Sequence, residues 1–180
     1  MAAVAQGTDV AGTRFVIVMG VSGCGKTTIA ALLAGRLGWD FEDGDWLHPP
    51  ANLAKMASGR ALDDADRQPW LAAIAGWMDE RRRQGRRGVV ACSALKRAYR
   101  ARLLDGADDV RLVYLRGGGA LIARRIAARH GHFMPAQLLE SQFAALEEPG
   151  AGEAPIIVPI DAAPAAIVAQ IIRQLDGGGR

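Results

Sequence analysis

Short apolar runs alternate with longer amphipathic segments along almost the whole chain. The first run, RFVIVMG, is rich in β-branched residues and predicts a buried strand, and KTTIAALLAGRLG after it has the period of a helix that ends at Gly38. The alternation then continues to the C-terminal end. Further strands are predicted at WDFED, GVVACSA, DVRLVYLR and APIIVPID. Further helices are predicted at RQPWLAAIAGWMDERRRQG, with Asp66 as its cap, and at LKRAYRARLLDG, GALIARRIAARHG, PAQLLESQFAALEEPG and PAAIVAQIIRQLDG.

This order of elements predicts an α/β fold. Continuous apolar strands that alternate with helices favour a parallel sheet covered by helices on both faces. Half of the 180 residues are apolar, and no linker or internal repeat divides the chain, so residues 1–180 are expected to form one domain. Residues 1–13 are expected to form a disordered leader, because they lack the charged start and hydrophobic run of a signal peptide.

The composition limits which cellular compartments and which binding partners are expected. No apolar stretch is long enough to cross a bilayer, so no membrane association is expected. Cys24 and Cys92 lie in motif or apolar contexts, which favours a reducing cytoplasm. The net charge of +3 raises the possibility of a nucleic-acid partner, but the densest basic cluster, ERRRQGRR, falls at a predicted helix end. Arginine is favourable there because of the helix dipole, so we expect a solvated helix end and no nucleic-acid partner.

The stretch GVSGCGKT matches the P-loop pattern G-x-x-x-x-G-K-[ST] and lies between a predicted strand and a predicted helix. Its glycines allow the backbone N–H groups to face an anion, and the helix that begins near Lys26 adds its dipole. Lys26 is then placed to meet the β- and γ-phosphates of ATP, and Thr27 to offer its hydroxyl to Mg²⁺. The alternative is a glycine-rich turn with a chance lysine. The predicted nucleotide-binding residues are Gly20, Val21, Ser22, Gly23, Cys24, Gly25, Lys26, Thr27 and Thr28.

Two aspartates follow the second predicted strand in the stretch FEDGDWLHPPANLAKMASG, which matches neither a helix nor a strand. The third strand ends at Ser93, where many P-loop NTPases carry a metal-binding acid, so Asp43 and Asp45 are the available carboxylates. The spacing D-x-D predicts that both lie on one side of the pleat, at the edge of the sheet where the P-loop begins. One can approach the metal and the other can accept a proton from an attacking hydroxyl, whereas a capping acid with turn residues is the alternative. His48 is either a substrate contact or a loop histidine held by the backbone.

Five blocks together resemble the gluconokinase family of small P-loop kinases: MGVSGCGKTT, DGDWLHPPANLAKMASGRALDDADRQPWL, CSALKRAYR, YLRG and GHFMPAQLLESQFAALEEP. The resemblance covers nearly the whole chain from about Arg14. It implies the P-loop kinase fold of shikimate kinases, with a five-stranded parallel sheet in the order 2-3-1-4-5 and a lid segment. It also implies phosphorylation of D-gluconate at its 6-hydroxyl by ATP and Mg²⁺, which gives 6-phospho-D-gluconate and ADP, and a homodimer. Cys24 is a mild departure, since serine is common there.

The resemblance also implies roles in catalysis. Asp45 is expected to accept the proton of the substrate hydroxyl, and Asp43 to join Thr27 at Mg²⁺. Arg125 and Arg129 lie four residues apart on one predicted helix face, before Gly131, and are expected to neutralise the transferred charge as part of a lid. An exposed basic helix end is the alternative for this pair. The expected catalytic residues are Lys26, Asp45, Arg125 and Arg129.

Gluconate carries a carboxylate and several hydroxyls, so its pocket needs cations and hydrogen-bond donors. Arg67 and Lys96 are the strongest charged candidates, and surface ion pairing with the acidic stretch 63–66 is the alternative for both. The expected substrate-binding residues are Asp45, His48, Lys55, Arg60, Arg67, Ser93, Lys96 and His132.

Two other functions remain open at this stage. A kinase for shikimate or a nucleoside monophosphate would share the P-loop, the lid and the fold. A nucleotide-dependent regulatory or RNA-binding protein is suggested by the isoelectric point of about 9.2. Against the second, the chain lacks the interleaved aromatic and basic residues that RNA recognition favours.

Overall fold

A computed structural model describes residues 12–128 and 136–177 of the protein. Its strands form one sheet in which every neighbouring pair is parallel, in the order β2-β3-β1-β4-β5. The α/β class, the parallel sheet and its strand order are therefore confirmed. The strands are β1 (Phe15–Met19), β2 (Asp40–Asp43), β3 (Gly88–Ala91), β4 (Val110–Arg116) and β5 (Ile156–Pro159).

Helices connect these strands. They are α1 (Lys26–Leu37), α2 (Pro50–Ala57), α3 (Asp64–Arg83), α4 (Arg97–Leu104), α5 (Gly119–Ala127), α6 (Ala136–Ala145) and α7 (Pro164–Gly177). Short 3-10 helices lie at Gly44–Leu47 and Ala151–Glu153. Across the described ranges, no helix has the length and apolar character needed to cross a membrane. The predicted leader, 1–13, falls almost wholly outside those ranges, and the organisation of residues 1–180 as a single domain stays a prediction.

Each face of the sheet has its own hydrophobic core. Successive side chains of β1 alternate between the faces, as the pleat requires, so Val16 and Val18 pack with α1 and α7. Phe15, Ile17 and Met19 pack on the opposite face with α3 and α4. The unbroken apolar runs in the sequence thus correspond to strands that are buried on both sides.

The segment after β2 differs from its prediction, because it is largely helical. A 3-10 turn follows β2 directly, and α2 begins at Pro50, where the missing N–H of proline is tolerated and its fixed φ suits a helix. The predicted cap of α3 was also wrong. Asp63 is the N-cap, and Asp66 three residues later completes a capping box by accepting a hydrogen bond from the backbone N–H of Asp63.

The turn after β2 is held tightly against β3. A Cβ atom on Gly44 would lie 2.7 Å from the carbonyl oxygen of Ala91, so only glycine fits there. The indole Nε1 of Trp70, on α3, donates a 2.6 Å hydrogen bond to the carbonyl of Gly44. The chain that leaves β2 is therefore fixed at the same sheet edge as the P-loop.

Arg100 connects three segments beneath this edge. Its side chain is only 1% exposed, and its guanidinium donates to both carboxylate oxygens of Glu153, at 2.6 and 3.0 Å. It also donates to the carbonyls of Ala94, Leu95 and Glu147. Arg100 thereby ties α4 to the loop after β3 and to the segment between α6 and β5.

We predict that Arg100→Met destabilises the fold by roughly 3–5 kcal/mol, because it leaves Glu153 and several carbonyls without their partner. Arg83→Met is the matched control, since Arg83 forms an exposed ion pair with Glu80 on α3 and its loss should cost little. Urea denaturation of both variants measures the difference. Equal losses in the two variants would contradict the structural role of Arg100.

Candidate active site

The P-loop has the backbone conformation that an anion-binding nest requires. Gly20, Gly23 and Gly25 have φ values of 145°, 81° and 100°, which disfavour residues with a side chain. Gly20 is also enclosed, since a Cβ atom there would lie 2.9 Å from the carbonyl oxygen of Leu115. Burial raises the pKa of the Cys24 thiol, so Cys24 is a small neutral residue within the loop. The three glycines therefore allow the tight turn that leads directly into the N-terminal end of α1, where a helix favours an anion.

The P-loop meets the first aspartate of the D-x-D pair. The hydroxyl of Thr27 donates a 2.7 Å hydrogen bond to Oδ2 of Asp43, and Oδ1 of the same carboxylate accepts from the backbone N–H of Asp45 at 3.1 Å. Asp43 is only 7% exposed. A hydroxyl from the first turn of α1 and a carboxylate oxygen from the end of β2 are therefore brought together, next in sequence to Lys26.

The reason predicted for the placement of the two acids was wrong. Asp43 is the last residue of β2, but Asp45 lies in the 3-10 turn that follows, so the pleat does not place them on one side. Instead, the Asp43 carboxylate caps the 3-10 turn by accepting the backbone N–H of Asp45, and this contact fixes the position of the Asp45 backbone. Asp43 is buried against the P-loop and Asp45 is exposed. The two carboxylates therefore differ in environment, as two distinct roles require.

His48 lies in a fixed position near Asp45. Its ring stacks on Trp70, with centroids 4.5 Å apart, and its Nδ1 lies 3.3 Å from the amide nitrogen of Asn52. Asn52 is buried and also donates to the carbonyl of Asp66 at 2.8 Å. Burial lowers the pKa of His48, which keeps the ring neutral at pH 7. With Asn52 donating to Nδ1, the proton lies on Nε2, which is then a hydrogen-bond donor.

Two cationic side chains, Lys96 and Arg67, lie near the ring of Tyr99 on α4. The ammonium of Lys96 lies 2.6 and 2.9 Å from the carboxylate oxygens of Asp64, and 5.6 Å from the centre of the Tyr99 ring. The guanidinium of Arg67 lies 5.7 Å from the same ring, and the Tyr99 hydroxyl donates to Asp64. Lys96, followed by Tyr99, lowers the pKa of Asp64. Lys96 therefore forms the surface ion pair that was the alternative to substrate binding. Lys96 and Arg67 nevertheless both lie near the Tyr99 ring.

The other predicted substrate contacts among the described residues lie on α2, in the connection between α2 and α3, and just after β3. Lys55 pairs with Asp63, at 3.2 Å, and with Asp66. Arg60 is exposed and donates from Nε to the hydroxyl of Ser58 at 3.0 Å. The carbonyl of Ser93 accepts a 3.3 Å hydrogen bond from the backbone N–H of Gly20. Ser93 thus holds the start of the P-loop against β3 through its backbone.

A cavity of about 300 Å³ lies on the other side of the P-loop. Gly25 and Thr28 line it from the P-loop and α1, Arg125 from α5, and Ala162 and Pro164 from the segment after β5. The guanidinium of Arg125 donates to the carbonyl of Ile160, which fixes this arginine at the rim. Of the other predicted lid residues, Arg129, Gly131 and His132 lie outside the described residues.

Sequence reasoning missed the contacts of three side chains that organise the site: Gln142, Asn52 and Trp70. Gln142 on α6 accepts from the backbone N–H of Ser22 at 2.7 Å and donates to the Ser22 hydroxyl at 3.1 Å. Asn52 supports His48, and Trp70 supports both His48 and Gly44. The local sequence does not indicate the contacts of Asn52 or of Gln142, which lies 120 residues from Ser22. Tertiary structure alone brings these residues to their partners.

Comparison with known proteins finds close relatives over most of the chain. A family model described as an AAA domain matches residues 15–149. A gluconokinase from Gluconobacter oxydans is 49% identical, and the match covers 89% of this chain and 90% of that protein. The crystal structure of a gluconokinase from Sinorhizobium meliloti 1021 is 39% identical, has a TM-score of 0.85, and covers 96% of this chain and 95% of its own.

A more distant structural match shows the fold. The crystal structure of shikimate kinase from Aquifex aeolicus superimposes with a TM-score of 0.57 at 15% identity, and the match covers 91% of this chain and 97% of the other. At that identity the comparison confirms the predicted shikimate-kinase-like architecture, and it carries no information on substrate.

We predict that His48 titrates below the ordinary histidine value of about 6.5. Burial is the main cause, the nearby Arg67 acts in the same direction, and Asp45 opposes both. Asp45→Asn should therefore lower the pKa of His48 further, and Arg67→Met should raise it. Imidazole NMR signals followed against pH measure these shifts, and His48→Gln assigns the resonance. A pKa at or above 6.5 would show that the ring is not held as described.

Proposed function

The chain belongs to the gluconokinase family, and we propose that its P-loop and the acids after β2 carry out the family reaction. That reaction transfers the γ-phosphoryl group of ATP to D-gluconate at its 6-hydroxyl and gives 6-phospho-D-gluconate and ADP. The hydrogen bond between Thr27 and Asp43 is the observation that carries the assignment of residues, because it joins the nucleotide-binding loop to the loop of the acids.

The nucleotide is proposed to bind across the P-loop. The N–H groups of Gly23, Gly25 and the start of α1 are proposed to face the phosphates, since those of Gly20, Ser22 and Cys24 already donate within the protein. Lys26 supplies a positive charge to the β- and γ-phosphates. The cavity between Thr28, Arg125 and Pro164 adjoins the loop on the α7 side and is suited to the nucleoside. Arg125 is then placed to approach the phosphates from α5, and Arg129 is proposed to act with it.

Mg²⁺ is proposed to bind at Thr27 and Asp43, since both offer oxygen atoms, the ligands that this ion prefers. No group of three or more histidine, cysteine or acidic side chains suited to a metal occurs among the residues that the structure describes. A site with a single carboxylate suits Mg²⁺, which keeps several waters and binds phosphate oxygens when it accompanies ATP. When bound, the ion neutralises phosphate charge.

Asp45 is proposed to act on the acceptor. Its exposed carboxylate orients the 6-hydroxyl of gluconate and takes its proton as the oxygen bonds to the γ-phosphorus. The bond from the γ-phosphorus to the bridging oxygen breaks, and ADP leaves with that electron pair. Asp43 is less suited to this part, because its side chain is buried against the P-loop and less accessible to the acceptor than Asp45.

Gluconate itself is proposed to lie between the acids and the group around Tyr99. Arg67 and Lys96 offer positive charge to its carboxylate, and His48 offers a hydrogen bond from Nε2 to a hydroxyl. Further proposed contacts are Lys55, Arg60, Ser93 and His132.

We also propose a cytoplasmic homodimer. The family resemblance supports the dimer. The cytoplasmic location is supported by Cys24 and Cys92, which are buried free thiols, and burial raises the pKa of Cys92 to about 12. Neither thiol is therefore disposed to oxidation.

The direct test is ADP release with Mg²⁺·ATP in the presence of gluconate, other sugar acids or shikimate. We expect turnover that depends on gluconate and that is largely lost in Lys26→Ala, since the variant removes the charge next to the β- and γ-phosphates. Preference for shikimate would favour another metabolite kinase. ATP hydrolysis that RNA stimulates and gluconate does not would favour a regulatory or RNA-binding protein.

Replacing each of the two aspartates should have a different kinetic effect. Asp45→Asn is expected to lower kcat about 10²-fold or more while leaving ATP affinity little changed, because it removes the base and keeps the shape. Asp43→Asn is expected to raise the Mg²⁺ concentration needed for half-maximal activity. Initial rates over a matrix of Mg²⁺ and gluconate concentrations distinguish the two effects. The reverse pattern would exchange the roles, and normal rates in both variants would make the loop structural.

A further inference from the structure

One peptide unit of the P-loop is held at both ends by side chains. The N–H group of the Val21–Ser22 peptide donates to Oε1 of Gln142 at 2.7 Å. The carbonyl of the same peptide, on Val21, accepts a 3.1 Å hydrogen bond from the ammonium of Lys26. Gln142 also donates from Nε2 to the Ser22 hydroxyl at 3.1 Å, so its amide makes a two-point contact.

The two contacts on this peptide are mechanically coupled. A peptide unit is planar, so the direction of its N–H group determines the direction of its carbonyl. The bond to Gln142 therefore fixes where the Val21 carbonyl points, and thereby where the Lys26 ammonium lies. Hydrogen bonds at the two ends of a peptide also polarise each other, which strengthens both.

The surroundings leave the peptide few other partners. Val21 is buried, and its carbonyl is further held by the backbone N–H of Cys24 at 3.3 Å. Gln142 reaches the loop from α6, and Ile126 of α5 packs against Gly23 so closely that a Cβ atom there would lie 2.6 Å from the isoleucine. The loop is thus supported from α5 and α6, and Gln142 supplies the polar part of that support.

We propose that Gln142 is a positioning residue for phosphoryl transfer, which acts by orienting the Val21–Ser22 peptide and through it the ammonium of Lys26. The proposal rests on the function proposed above, in which Lys26 binds the β- and γ-phosphates. Gln142 itself contacts the loop and is not assigned a contact with the nucleotide.

The test measures binding in a double-mutant cycle. Gln142→Met keeps the length of the side chain and removes both hydrogen bonds, and Gln142→Asn keeps the amide but shortens its reach. The probes are adenylyl imidodiphosphate with Mg²⁺, a non-hydrolysable analogue of ATP, and AMP, which lacks the β- and γ-phosphates. Calorimetry gives both affinities with Lys26 present and in the Lys26→Ala background. Gln84→Met is the matched control, because Gln84 is exposed and its side chain donates to Glu80 in the last turn of α3.

With Lys26 present, each Gln142 variant is expected to weaken binding of the ATP analogue about fivefold, the usual effect of one lost hydrogen bond, and to leave AMP binding nearly unchanged. In the Lys26→Ala background the same substitutions should have no further effect. Gln84→Met should behave as the unaltered protein in every measurement.

Three results would overturn the proposal. Unchanged affinity in both Gln142 variants would show that the contact is dispensable. An equal loss with and without Lys26 would show that Gln142 supports the loop by another route, while the proposed function stands. If Lys26→Ala itself leaves the affinity for the ATP analogue unchanged, the role of Lys26 in the proposed function fails together with the inference.

Discussion

The register of strands β2, β3 and β1 is the constraint on which the site depends. Ala91 of β3 pairs with Val18 of β1 on one side and with Asp43 of β2 on the other. Because the strands are parallel, the chain leaves all of them at one edge, and the loop after β1 meets the residue that ends β2. The contact between Thr27 and Asp43 follows, although β1 and β2 are not neighbours in the sheet. A slip of one residue in β2 would turn Asp43 to the other face, so the register positions this acid.

Close packing at the same edge makes the two sides of the site dependent on each other. Trp70 is buried, donates to the carbonyl of Gly44 and stacks on His48. One side chain therefore supports the turn that presents Asp45 and also the ring that is proposed to contact the substrate. The absence of space for a side chain at Gly44 explains the glycine between the two aspartates.

The parts of the structure that could be predicted have local or periodic signals. The buried strands have unbroken apolar runs, and the P-loop has a fixed pattern of glycines between a strand and a helix. The two aspartates were found because they follow a strand, but their geometry was misjudged, since nothing in the D-x-D spacing shows that the chain leaves the sheet at Asp43. The cap of α3 was placed at Asp66 for a similar reason, because Asp63 and Asp66 both suit a cap and only the reciprocal bonds decide.

The contacts that could not be predicted join residues that are distant in sequence. Gln142 lies 120 positions from Ser22, and Glu153 lies 53 positions from Arg100. Glutamine, serine, glutamate and arginine are all common on exposed helix faces and in loops, so the sequence around these residues predicts solvated side chains. Only the packing of α6 and of the segment before β5 against the sheet brings these partners together.

Two ion pairs among the described residues differ sharply in burial. Arg100 and Glu153 have side chains only 1% and 11% exposed, so breaking their pair would leave uncompensated charge in the interior. Lys96 and Asp64 have side chains 35% and 64% exposed, and such a pair contributes little to stability because water screens it. In the function proposed above, the carboxylate of gluconate would therefore compete with Asp64 for Lys96 at small cost, whereas separating Glu153 from Arg100 would leave a buried charge without its partner.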